Sequence, residues 1–258
     1  MMLTAVILLT VGTGCKGNDP KTREVSYSLN QKDELGVSGT VTFTETSNAS
    51  TTIEIKVSGS AIVGSHPVKL FKESIVENGA LSVELNPIDV NGTSTTIVPN
   101  MTYSQLSSYD GCIKVFKSES ESSIILAQGD IGGNVITSTN KKYTLQGTVG
   151  VSGTALFEKR VNGNTLVTID LDNTITDKTY PATINVGSVT TAGDVKITLN
   201  PVNGSTGKSL TNIRKKDDNS LIQYSDLLVF TGYISIYQSS INSGIVVCNG
   251  NIGTNVTK

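Results

Sequence analysis

Val37-Ser38-Gly39-Thr40 is written again as Val151-Ser152-Gly153-Thr154, and Leu85-Asn86-Pro87 again as Leu199-Asn200-Pro201, both 114 positions on. Further along, Tyr103-Ser104, Leu106 and Gly111 return as Tyr224-Ser225, Leu227 and Gly232 at a spacing of 121. A constant offset with one step marks a duplicated domain, its second copy carrying a connection longer by the difference between 121 and 114. Divided in two, 258 residues leave roughly 110–120 per copy, enough for a core in each.

Period-two alternation recurs through both copies. Ile53, Ile55 and Val57 alternate with Glu54 and Lys56; their counterparts Val167, Ile169 and Leu171 alternate with Thr168 and Asp170. Leu81-Val83-Leu85 matches Val195-Ile197-Leu199, and Ile113 and Val115 match Ile234 and Ile236. Each set turns one face to a core and the other to solvent. Turn signals such as Asn91-Gly92, Asn162-Gly163-Asn164 and Asn203-Gly204 fall between them. Only Tyr103 to Leu106 and its copy Tyr224 to Leu227 suggest a helical turn. The expected class is all-β: two tandem Greek-key sandwiches or flattened barrels, immunoglobulin- or superoxide-dismutase-like. With no Trp and aromatics at 5%, the core must be built from Val, Ile and Leu.

The N-terminus reads as an export signal. Met2 to Val11 is apolar but too short to span a bilayer, and it ends in Val11-Gly12-Thr13-Gly14-Cys15. That ending resembles a bacterial lipobox, which would make Cys15 the lipidated residue of an envelope lipoprotein, on the outer membrane and periplasmic or surface-exposed. The expected division is 1–15 signal peptide, 16–24 tether, 25–134 first repeat, 135–142 linker and 143–258 second repeat. Cys112 and Cys248 occupy non-equivalent places in the two copies, so they do not form a repeated bridge; they read as small apolar residues, with a bridge between the domains as the alternative in an oxidising compartment.

Several chemistries are excluded or weak. The net charge is −2, and the basic run Arg214-Lys215-Lys216 is followed at once by Asp217-Asp218, so no nucleic-acid partner is expected. Gly204-Ser205-Thr206-Gly207-Lys208-Ser209 is not a phosphate loop, because Val202 stands where its first glycine belongs and no helical pattern follows. Asp170, Asp172, Asn173 and Asp177 lack the glycine and closing Glu of an EF-hand. His66 has no Gly-x-Ser-x-Gly nucleophile to serve. The longer second-copy segment, about Gly204 to Ser220, offers a contact loop in Lys208, Arg214, Lys215, Lys216, Asp217 and Asp218, with a solvated hairpin as the plain alternative.

The order of motifs in each copy resembles the chordin-type (CHRD) domain family, whose fold resembles copper/zinc superoxide dismutase. In the first copy the resemblance runs through His66-Pro67-Val68-Lys69-Leu70-Phe71, Leu85-Asn86-Pro87-Ile88-Asp89, Gly111-Cys112-Ile113-Lys114-Val115-Phe116 and Ala127-Gln128-Gly129-Asp130. The second copy carries Tyr180-Pro181-Ala182-Thr183-Ile184-Asn185, Leu199-Asn200-Pro201 and Gly232-Tyr233-Ile234-Ser235-Ile236-Tyr237. Many members of that family carry histidines in the first and third of these segments. Here those positions hold His66, Lys69, Phe71 and Phe116, then Tyr180, Thr183, Asn185 and Tyr237. A redox copper site needs several converging imidazoles, and the chain has one His.

No cofactor and no catalytic residue are therefore expected. The favoured expectation is a non-catalytic binding or scaffold module, held to the membrane by its lipid and meeting an envelope protein or a glycan. A weak copper-handling protein using His66 and thiols is the alternative, and a carbohydrate-binding surface protein is a further one, although the usual Trp platform is missing. Strand parity adds one local expectation. With Val68, Leu70, Ile113 and Val115 inward, Phe71 and Phe116 share the outward wall and need cover.

Overall fold

The computed structural model describes residues 22–47, 49–59, 61–147, 150–239 and 244–256. The signal peptide, Cys15 and most of the tether lie outside the described residues. The chain divides into two compact units, Met1–Val135 and Ile136–Lys258. In the first, the strands are β1 (Glu24–Gln31), β2 (Ser38–Ser47), β3 (Ser50–Ser58), β4 (His66–Lys72), β5 (Leu81–Ile88), β6 (Thr93–Pro99), β7 (Gly111–Phe116) and β8 (Ile125–Ile131), with helix α1 (Tyr103–Ser107) before β7. In the second they are β9 (Ile136–Leu145), β10 (Ser152–Arg160), β11 (Thr165–Asp172), β12 (Thr179–Val186), β13 (Val195–Asn203), β14 (Lys208–Ile213), β15 (Thr231–Tyr237) and β16 (Val246–Gly253), with α2 (Tyr224–Leu228) before β15. Neither helix is long or apolar enough to cross a membrane.

Both units are all-β, and both follow one strand order. The first runs β5-β4-β7-β8-β1-β2-β3-β6 and the second β16-β15-β12-β13-β14-β11-β10-β9. Written in equivalent strands, these are one ring opened at different seams, a nearly closed antiparallel barrel. In it the β4-β5-β6 meander (β12-β13-β14 in the second unit) returns beside β3 (β11), which is a Greek key. The seam open in the first list, β5 to β6, is held by side chains. Asn86 Nδ2 donates to Thr95 O at 2.7 Å, Ser94 Oγ donates to Asn86 O at 2.6 Å, and Asn86 N–H donates to Thr96 Oγ1 at 2.8 Å. Asn200 repeats all three bonds with Leu210, Ser209 and Thr211 at the same distances. This explains the repeated Leu-Asn-Pro: the proline has no N–H for a ladder, so the asparagine side chain closes the seam. The other seam, β9 to β16, closes through Gln146 and Asn249, whose backbones exchange bonds of 2.8 and 2.9 Å.

The alternating residues form two cores. Phe43, Ile53, Ile55, Val68, Leu70, Ile113 and Val115 are at most 1% exposed in the first, as are Phe157, Val167, Ile169, Ile184, Ile234 and Ile236 in the second. Each such side chain contributes about 1.5–3 kcal/mol by burial. The repeated Gly111 and Gly232 lie flat beneath the rings of Tyr109 and Phe230, where a Cβ would strike the ring. Gly132 and Gly253 sit at φ +55° and +59° against the backbone of the same two residues, a conformation open to glycine alone at so close an approach.

Three expectations need correction. Residues 135–142 are not a linker: from Ile136 onward they belong to β9, which pairs with β10 from Arg160↔Ile136 to Gly153↔Leu145. Its first seven residues bury no side chain fully, and only Tyr143 and Leu145 reach the core, so no apolar alternation announces the strand. Leu81 and Val195 are not core residues but 46% and 45% exposed. Register shifts at Leu70/Phe71 and Ile184/Asn185 set them opposite Phe71 and Asn185, on the outward face. Finally, the extra length of the second copy is not spread from Gly204 to Ser220. The ladder equivalents Ser94 and Ser209 differ by 115 and the helix starts Tyr103 and Tyr224 by 121, so most of it lies between β14 and α2.

Candidate binding face

Strands β4 and β7 present a mixed basic and aromatic wall in the first unit. Lys69 and Lys114 are direct cross-strand partners, and Phe71 stands opposite Cys112. Phe71 and Phe116 meet edge to face, with centroids 6.2 Å apart and planes at 62°. Each lysine reaches diagonally to the ring on the other strand: Lys114 Nζ lies 5.1 Å from the Phe71 centroid and Lys69 Nζ 5.9 Å from that of Phe116. Lys69 also pairs with Glu84 of β5 at 3.3 Å. The four wall side chains are half-buried, and Leu81 extends the apolar strip beyond Phe71.

One end of the wall is covered by the chain itself. The loop after β4 folds over β7 and β8: Glu73 N–H donates to Asp110 O at 2.7 Å and Ile75 N–H to Asp130 Oδ1 at 2.8 Å. Beneath it Cys112 is 1% exposed. The other end opens into a hollow of about 340 Å³ beside Lys69, walled by Pro67, Glu84, Pro87 and Glu119.

The equivalent wall of the second unit has different chemistry on the same frame. Asn185 Nδ2 donates to Thr183 Oγ1 at 3.0 Å, and the Tyr237 hydroxyl lies 3.4 Å from that oxygen. Ser235 occupies the place of Lys114 and is 2% exposed. Its covering loop repeats the first, with Gly187 N–H on Thr231 O and Val189 N–H on Asn251 Oδ1, at 3.1 and 3.0 Å. Here the polar groups satisfy one another. A hollow of about 420 Å³ beside β9 and β16 is lined by Lys142, Tyr143, Gln146, Asn251 and Asn255. Its Asn255 already donates to Gly187 O and Gly232 O.

His66 and Tyr180 do not join these walls. Both face inward at 2% exposure. His66 Nδ1 lies 2.8 Å from Lys117 O; a carbonyl only accepts, so Nδ1 carries the proton. Its Nε2 is buried without a hydrogen-bond partner among the described residues. The Tyr180 hydroxyl accepts from Ile175 N–H at 2.9 Å. Among the described residues no three His, Cys, Asp or Glu side chains gather as a metal site. Cys248 is a core thiol that burial pushes up to about 11.

The residues considered for calcium or as a contact loop are also dispersed. Asp170 is held by Lys208 at 2.5 Å, so Lys208 stands at the start of β14, away from the later basic run. Asn203 Oδ1 accepts from Ser205 N–H and Thr206 N–H at 2.9 and 3.2 Å, which makes the Gly204–Ser209 stretch a hairpin turn. Arg214 to Asp218 form a second small hairpin, closed by the Lys215↔Leu221 bridge. It is pinned to β13 through Asp217, whose N–H donates to Lys196 O at 3.0 Å and whose carboxylate accepts from Thr198 N–H and Oγ1 at 2.9 Å each. Hydrogen bonds from the Ser220 hydroxyl and amide hold the exposed Asp218 carboxyl below its ordinary range.

Three wall residues were missed from sequence. Lys114 shares the parity of Phe116 and was legible in Gly-Cys-Ile-Lys-Val-Phe. Glu84 was legible too, since it alternates with Val83 and Leu85; Leu81 was hidden, because its facing depends on a bulge that no local residue signals. No protein-family model, curated protein or solved structure matches this chain.

Proposed function

We propose that this protein is a non-catalytic binding module of the bacterial cell envelope, a lipoprotein anchored through Cys15 and built from two CHRD-like domains whose metal positions have been given over to other chemistry. The observation that carries the reading is the β4–β7 wall. At Lys69, Phe71 and Phe116, where that family would hold histidines, an ammonium and two benzyl groups are locked together with Lys114. None of these offers a lone pair to a transition ion at neutral pH. The wall is half-exposed, rigidly seated on a barrel and flanked by an open hollow, which suits recognition.

One observation favours a second reading, a weak copper site. A metal-bound histidine commonly donates its other ring N–H to a backbone carbonyl, and His66 has that arrangement with its Nε2 bare. The test is metal analysis of the purified mature protein, with copper and zinc titrations followed by thermal denaturation. The binding-module reading expects no stoichiometric metal and an unchanged melting temperature. One stoichiometric equivalent of copper or zinc, lost in His66→Gln, would overturn it in favour of the second reading. Membrane release of Cys15→Ser checks the anchor.

A further inference from the structure

We propose that the β4–β7 wall of the first unit docks an acidic polypeptide segment, one carboxylate seating between Lys69 and Lys114 while neighbouring apolar side chains lie along Phe71, Leu81 and Phe116. This rests on the binding-module reading and names its ligand class. Lys69 and Lys114 are direct partners across two strands on the same face, and like charges so placed repel. Their compensation is incomplete. Glu84 reaches Lys69 at 3.3 Å, whereas Lys114 has no carboxylate within ion-pair distance among the described residues and rests on the Phe71 ring. A ring face is a poorer counter-group for an ammonium than a carboxylate that also accepts its hydrogen bonds. An incoming carboxylate therefore satisfies both lysines at once.

The surroundings select a peptide over other polyanions. Each ring already has a lysine over it and meets the other edge to face, so the wall offers ring edges and aliphatic surface to an apolar side chain rather than a flat open platform to a sugar. Glu84 and Asp130 lie on the same side of the sheet, so the wall lacks the uniform positive field that draws a protein to an anionic lipid surface. The apolar strip through Leu81, 46% exposed, calls for aliphatic or aromatic side chains between the acids. The second unit keeps a ring in Tyr237 and an exposed apolar residue in Val195, but it has neither lysine, since Thr183 and Ser235 stand in their places, and Asn185 replaces the other ring.

The test is fluorescence anisotropy of the full mature chain with a labelled peptide, acetyl-Leu-Glu-Phe-Asp-Ile-Glu-amide, and its twin with Gln and Asn for the acids. The acidic peptide should bind, more weakly as ionic strength rises from about 0.05 to about 0.5 M, and the twin should not. Lys114→Gln should raise Kd about fivefold, the scale of one partly exposed ion pair. Lys69→Gln with Lys114→Gln should abolish binding, and Glu84→Gln should tighten it. Melting temperatures equal to the parent's establish that each variant is folded. Equal affinity for the twin, indifference to Lys114→Gln, no binding of either peptide, or binding of polygalacturonate or phosphatidylglycerol vesicles in place of the peptide would each overturn the proposal. A metal-free protein that ignores the peptide overturns this inference alone; a stoichiometric metal overturns the reading beneath it.

Discussion

Replacing Phe71 and Phe116 by Ala, singly and together, measures whether the wall is held as one unit. Each side chain is half-buried, so truncation exposes or voids on the order of 100 Å² of apolar surface, about 2–3 kcal/mol. The edge-to-face contact at 6.2 Å adds about 0.5–1.5 kcal/mol. Each lysine contact at 5.1 or 5.9 Å adds a further 0.5 kcal/mol or so at this exposure. Either single variant should thus lose about 3–5 kcal/mol. The double variant should lose about 1 kcal/mol less than the sum, because the shared ring contact is removed only once. Urea unfolding followed by hydrogen exchange at β4 and β7 reads the first unit, with β12 and β15 as internal reference. Losses additive within about 0.3 kcal/mol would show that the rings do not act on each other, and the wall would then be two unrelated side chains.

Three other outcomes follow from the geometry. Gly253→Ala should cost more than about 3 kcal/mol, combining left-handed strain with overlap onto the Phe230 backbone, whereas Gly150→Ala, at φ +86° with open space around it, should cost only about 1–2 kcal/mol; equal losses in thermal unfolding would contradict the packing. Burial pushes the Cys248 thiol to about 11 from 9.0 and the Tyr27 phenol to about 12 from 10.0. The folded chain then keeps protons that the unfolded chain releases, so stability should hold below pH 9 and fall as pH rises through that window. A urea midpoint flat to pH 11 would count against it, and Cys248→Ala should delay the fall. Asn86→Ala and Asn200→Ala should each cost about 1 kcal/mol and speed amide exchange at their own seam, β5–β6 or β13–β14; exchange unchanged there would mean the asparagines do not close the barrels.

Much of the frame was legible because its residues answer to backbone demands. Leu-Asn-Pro recurs because a proline at a seam needs a side-chain bond beside it, and Gly111 and Gly232 recur because a ring covers each. What escaped was whatever depends on register. The pair Tyr27–Phe43, with ring centroids 5.3 Å apart, is repeated as Tyr143–Phe157 at 5.0 Å, yet Tyr27 and Tyr143 are 116 residues apart rather than 114. That small step, with a polar outer half, concealed β9. The wall was half legible: parity alone places Phe71 and Phe116 on one side and turns Glu84 outward, while Leu81 joined them through a bulge. The inward facing of His66 was legible too, since it continues the alternation of Val68 and Leu70 by one step.

The asparagine closures and the covered glycines share no position with the residues that give each wall its character. Duplication therefore left one set of sites bound by a common mechanical need and freed another. Lys69, Phe71, Lys114 and Phe116 could drift from Thr183, Asn185, Ser235 and Tyr237 without either barrel losing its closure. A single polypeptide thereby came to offer two dissimilar faces on twin supports, each open to selection for its own acquaintance.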